Sequence, residues 1–266
     1  MVFFMRARFF VLLVMLAAFS LGGCVTEATR DGKIVADANP KKDKTKALND
    51  YVNLAVGYMN DGKREQALRA INNGLAIDPN SPEMLNVLAG YYRADGEMDL
   101  AEKQFKKAIS AKSSYTPSYL NYGTFLYAQK RYPEACKMFE KASADVMYSK
   151  RSGAFSNLGM CLKQIGKNKE AEEAFGRSIG HDSTNGKALF GMADIRFERG
   201  DFAESKRYYE EYLKYNEQNP RSLWLGIRLM HVLGDDDRVA SYALFLKNEF
   251  PDSPEYKEYA QWAASK

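Results

Sequence analysis

The sequence predicts an all-α protein: a right-handed α-solenoid of six antiparallel helix pairs, closed by a C-terminal capping helix. Three observations predict it. Small residues return at a fixed interval, with Ala67, Ala101, Ala135, Ala171 and Ser205 spaced 34, 34, 36 and 34 residues apart. Each has a small partner 12 residues earlier, at Ala55, Ala89, Gly123, Gly159 and Ala193. Glycines then recur at Gly62, Gly96, Gly166, Gly200 and Gly234, where a first helix must turn into a second. A period in this range marks an architecture in which each helical hairpin buries its apolar face against its neighbours.

The chain opens differently. Arg6 and Arg8 precede an apolar run from Phe9 to Leu21, which stops at Leu21-Gly22-Gly23-Cys24. A charged start, an apolar run of about 13 residues and small residues make a secretory signal, and the run is too short to span a bilayer. The cysteine in that position makes the segment resemble a bacterial lipoprotein signal. The resemblance implies that residues 1–23 are removed, that Cys24 carries the lipid, and that Val25 after it routes the chain to the outer membrane, facing the periplasm. Residues 24–47, rich in Thr, Asp, Lys, Ala and Asn and without apolar periodicity, are expected to form a flexible tether reaching about 25 to 30 Å.

Six repeats follow, at 48–81, 82–115, 116–151, 152–185, 186–219 and 220–253. Leu54, Leu88, Tyr122, Leu158 and Met192 precede the first small residue of their repeats and form a core stripe with Tyr58, Tyr92, Leu126 and Leu162. Ile71, Phe105, Phe139, Phe175 and Tyr209 pack from the second helices, and Pro79 and Pro251 stand where second helices must stop. The two extra residues fall near 145–151, lengthening one connection. The sixth repeat keeps Gly226, Ile227, Val239 and Ala243 in register, and residues 254–266 supply the capping helix. Several classes of position recurring together make this region resemble the tetratricopeptide repeat (TPR).

Composition narrows the function classes. With 38 basic and 34 acidic residues the charge is nearly balanced, and the densest basic cluster is Lys41, Lys42, Lys44 and Lys46, so nucleic acid is not the expected partner. His181 and His231 lie in different repeats without Cys or carboxylate at metal-ligand spacing. Asp235, Asp236 and Asp237 follow a turn glycine and are expected to cap a helix. There is no Gly-rich phosphate loop. No enzyme activity, metal, cofactor or small-molecule substrate is expected. Cys136 and Cys161 fall on helices that stack, and either a bridge or two buried thiols fits them.

Binding is expected on the face lined by first helices. The inward positions are Val52, Val56 and Met59 in repeat 1, Leu120 and Tyr127 in repeat 3, and Phe190, Phe197, Trp224, Arg228 and His231 in repeats 5 and 6. Val52 and Val56 suit an apolar peptide or helix rather than a terminal carboxylate.

A lipoprotein signal, a tether and six TPRs, with the stretches Asn121-Tyr122-Gly123-Thr124-Phe125-Leu126, Pro133-Glu134-Ala135 and Asn248-Glu249-Phe250-Pro251-Asp252-Ser253, resemble the PilF/PilW family of type IV pilus pilotins. The resemblance implies a role in locating and assembling the outer-membrane secretin, and hence in pilus biogenesis and twitching motility. The alternative is a TPR adaptor lipoprotein for cell-wall enzymes or β-barrel assembly.

Overall fold

The computed structural model describes residues 29–30, 33–34 and 40–265; the signal segment and Cys24 lie outside the described residues. The chain divides into two units, residues 1–46 and 47–266. In the first, strands β1 (Thr29–Arg30) and β2 (Lys33–Ile34) pair antiparallel, Thr29 opposite Ile34 and Arg30 opposite Lys33. This hairpin falls within the segment read as an unstructured tether. Thr29 and Ile34 are β-branched and suit extended pairing. The first helix also starts earlier than the reading places it, at Pro40. A proline at the first helical position loses no hydrogen bond there, so it opens this helix instead of breaking it.

The described helices are α1 (Pro40–Asn60), α2 (Arg64–Ile77), α3 (Pro82–Ala94), α4 (Met98–Ala111), α5 (Thr116–Ala128), α6 (Tyr132–Ala144), α7 (Arg151–Gln164), α8 (Asn168–His181), α9 (Gly186–Arg199), α10 (Phe202–Tyr215), α11 (Pro220–Val232), α12 (Asp236–Glu249) and α13 (Pro254–Ala264). The second unit is an α-solenoid in which odd and even helices from α3 to α12 pair and each pair stacks on the next, while α1 joins α2 and α3 through Ala55, Ala70, Ile71, Met84 and Leu88. The small residues sit at the crossings, since Ala55, Ala67, Ala89, Ala101, Ala135, Ala171, Ala193 and Ser205 are all fully buried. Ser205 fits because its hydroxyl donates to the Ala193 carbonyl at 2.8 Å.

The five turn glycines take positive φ, from 71° at Gly62 to 86° at Gly200. Repeat 3 lacks the glycine, and there Lys130 adopts the left-handed conformation at φ 59°. Asp235 caps α12 by accepting from the Arg238 amide at 3.1 Å. Asn219 and Ser222 form a reciprocal capping box on α11.

One core expectation fails at the end of the stack. Leu88, Tyr122, Leu158 and Met192 are buried, yet Leu54 is 43% exposed. Its equivalents in later repeats follow another helix pair, and among the described residues no pair precedes repeat 1.

Ion pairs tie neighbouring repeats at their rims. Glu102 of α4 accepts from Arg131 at 2.6 Å and from the Tyr122 hydroxyl at 2.7 Å. The Arg131 hydrogen bonds hold its carboxyl down at about 2, with Lys106 and Tyr122 assisting and partial burial opposing. A depressed carboxylate stabilises the fold above its unfolded pKa, about 4.3, and loses that contribution as pH falls toward the folded value. Glu102→Gln is therefore expected to lower the urea midpoint at pH 7 and to converge on the wild type near pH 2. A deficit that stays constant with pH would assign the effect to packing instead.

Candidate binding groove

The first helices of successive repeats lie side by side, and hollows open along them, two of which collect most of the expected residues. The first, with a volume of about 420 Å³, brings together Val52, Val56 and Met59 of α1, Val87, Gly90 and Arg93 of α3, and Asn121 and Thr124 of α5. Val56 is 42% exposed, and Val52 and Met59 are half-buried. Spacings of four and three residues put these three side chains on one face of α1.

The second hollow, about 240 Å³, is lined by Tyr127, Met160, Lys163, Lys187, Phe190, Asp194 and Arg221, among others. Tyr127 and Phe190, both expected at inward positions, meet here. Lys163 reaches Asp194 and Glu198 on the next first helix, the latter at 2.8 Å. Burial pulls the Lys163 ammonium down, but the two carboxylates outweigh it and keep its pKa above the ordinary value. The Tyr127 hydroxyl is pushed up, chiefly by burial, while the charge of Arg221 opposes the shift.

Other expected groove residues lie elsewhere. Leu120 packs against the core and lines neither hollow, because its place on α5 turns it toward the neighbouring helices. Trp224 is buried: Tyr259 and Trp262 of α13 close over it with ring centroids 6.3 and 5.8 Å away. The cause is the capping helix, which lies against α11 and covers the surface a ligand would use. Trp224→Ala therefore reports on packing, not on binding. Phe197 packs on Phe202, and the Arg228 guanidinium sits 4.9 Å above Phe197 and 5.2 Å above Trp224, one continuous stack beside the cap. His231 packs edge-on to Trp262 at 4.9 Å.

The residues that sequence reasoning missed are the polar ones. Carrying the Val56 and Met59 positions forward by the same 34- and 36-residue steps gives Gly90, Arg93, Thr124, Tyr127, Met160, Lys163 and Asp194, which line a hollow, and then Phe197, Arg228 and His231 beside the cap, which line neither. The repeat was the available signal, and Arg228 and His231 were placed by it while Arg93, Thr124, Lys163 and Asp194 were not.

Cys136 on α6 and Cys161 on α7 are joined in a disulfide with Cα atoms 5.5 Å apart, fastening repeat 3 to repeat 4. Among the described residues no three His, Cys, Asp or Glu side chains converge in a metal-binding group, and no helix is long and apolar enough to cross a membrane. The arrangement offers surfaces and charges at fixed positions, the equipment of a protein-interaction scaffold.

Comparison with known proteins agrees. Residues 52–116, 152–185 and 187–218 match models of the tetratricopeptide repeat. Over 250 residues the chain is 37% identical to the type IV pilus assembly protein PilF of Pseudomonas aeruginosa, covering 93% of this chain and 96% of that protein. The solved structure of Pseudomonas aeruginosa PilF is similar with a TM-score of 0.77 and 36% identity, over 84% of this chain and all 100% of the other. PilW, a widely conserved type IV pilus biogenesis factor, is similar with a TM-score of 0.69 and 27% identity, over 80% and 98% of the two chains.

Proposed function

The chain belongs to the PilF family of tetratricopeptide-repeat proteins of type IV pilus assembly, and from that premise we propose that it is an outer-membrane pilotin for the pilus secretin. In this reading it binds secretin subunits, brings them to the outer membrane and promotes their multimerisation. It performs no catalysis. The observation that carries the reading is the open hollow whose wall on α1 is the apolar stripe Val52, Val56 and Met59. An exposed apolar stripe on the first of the described helix pairs is a surface that a partner helix or strand occupies. The lipid on Cys24 supplies the anchor, at about 0.8 kcal/mol per buried methylene.

Two variants separate capture from anchoring. Val56→Glu is expected to fold normally, since the side chain is largely exposed, and to lose secretin in pull-downs along with secretin multimers in the outer membrane. Cys24→Ala is expected to keep secretin binding but to leave the membrane fraction when secretin is absent. Normal secretin capture by folded Val56→Glu protein would reject the assignment of repeat 1. Retention of Cys24→Ala in the outer membrane without secretin would reject the lipid anchor.

A further inference from the structure

The charges of the second hollow do not cancel. Of its three cations, Lys163 is matched by Asp194 and Glu198. Lys187 and Arg221 have no carboxylate partner among the described residues. Among the described residues the Lys187 ammonium donates to the Asn157 side-chain oxygen, at 3.0 Å, a neutral partner that leaves its charge unmatched. The Arg221 guanidinium lies 5.3 Å above the Phe190 ring, and its charge is felt at the Tyr127 hydroxyl.

Their position in the fold makes this pairing of cations informative. Lys187 and Arg221 are 34 residues apart, the same place in two consecutive repeats, each the second residue of its helix. A helix N-terminus carries positive partial charge and favours acidic side chains, so a cation there works against its own helix. Glu83 of α3 has the corresponding place in repeat 2, with the sign the dipole prefers. Repeats 5 and 6 reverse that sign, and the two helix dipoles add to the field of the two cations instead of opposing it. Beside this field Met160 and Phe190 give a half-buried apolar floor.

We propose that this hollow is a second peptide-binding subsite, selective for an extended segment that carries an Asp or Glu side chain next to an aromatic or aliphatic one. The carboxylate pairs with Lys187 and Arg221, while its apolar neighbour covers Met160 and Phe190. A guanidinium already stacked on a ring loses little freedom on taking up a carboxylate. The bonds to the carboxylate are charge-assisted and so stronger than neutral ones. The subsite is built from repeats 3 to 6 and does not depend on what repeat 1 holds.

The test uses the full-length chain in detergent and fluorescence anisotropy with three labelled decapeptides. One has a central Glu-Phe-Asp and an amidated C-terminus, the second replaces that core by Gln-Phe-Asn, and the third is the second with a free C-terminal carboxylate. The acidic peptide is expected to bind at least about tenfold more tightly than either other peptide and to weaken as salt rises. The Lys187→Glu/Arg221→Glu variant should lose about tenfold or more in affinity for it, whereas Val56→Glu should bind it as the wild type does. Both cations are exposed, so the fold should survive the charge reversal, and Lys187→Ala/Arg221→Ala provides a milder version of the same test. Equal binding of the first two peptides would overturn the proposal. So would preference for the free carboxylate, or loss of binding on Val56→Glu alone.

Discussion

Gly159→Leu is expected to destabilise the stack by about 3 kcal/mol, at the upper end for overpacking a close-packed core. A Cβ at Gly159 would stand 2.6 Å from two carbons of the Phe175 ring, which is fully buried. The ring has no room to retreat, because on its other side a Cβ at Gly191 would lie 2.3 Å from its Cζ. Phe175 of α8 is thus seated between two glycines on consecutive first helices, α7 and α9. For a folded unit of this size the loss corresponds to a melting temperature lower by about 6 to 12 °C. Gly153 lies on the same helix α7, and a Cβ there meets nothing within 4 Å. Gly153→Ala should therefore be neutral or stabilising by up to about 1 kcal/mol through helix propensity. Circular dichroism melts of the two variants decide the matter. An unchanged melting temperature for Gly159→Leu would show that the ring is not seated there.

Reducing the Cys136–Cys161 bridge should have an effect of similar size by another route. The cysteines are 25 residues apart in sequence, and closing a loop of that length stabilises the fold by about 3.5 kcal/mol in the chain-entropy model. Both sulfurs are buried, so the comparison needs partners that keep the packing. The Cys136→Ala/Cys161→Ala protein should melt at the same temperature with and without reductant, while the wild type falls toward it when reductant is added. Identical melts of the wild type in both conditions would show that the bridge contributes no stability.

The helix pairs were legible because their signals repeat. One small residue at a crossing means little, but Ala67, Ala101, Ala135, Ala171 and Ser205 in register leave few other arrangements, and all five are buried. The turns were legible for the same reason, even where Lys130 stands in for the missing glycine. What the period could not convey was its own termination. Leu54 obeys the pattern yet is exposed on the first of the described helix pairs, and Trp224 obeys it yet is buried because α13 folds over it. The lack of apolar periodicity before residue 48 hid the first turns of α1, which begin at Pro40, a residue suited to a helix start. The candidate groove was half legible. Val52, Val56 and Met59 share a hollow, but Lys163, Lys187, Asp194 and Arg221 carry charges that differ from repeat to repeat and so give no recurring signal.

Glu102, Cys136 and Glu172 occupy one and the same place in repeats 2, 3 and 4, separated by the 34- and 36-residue steps of the period. Each reaches forward to the next repeat. Glu102 pairs with Arg131, Cys136 is bonded to Cys161, and Glu172 pairs with Arg196 and Arg199. In a stack where each unit touches only its neighbours, elasticity is set joint by joint. The covalent joint between repeats 3 and 4 resists opening most, so a load on the rod is taken up on either side of it. The hollow of repeats 3 to 6 straddles that joint, with Tyr127 on one side and Met160 on the other, so the bridge also fixes the spacing of the two repeats that carry these walls.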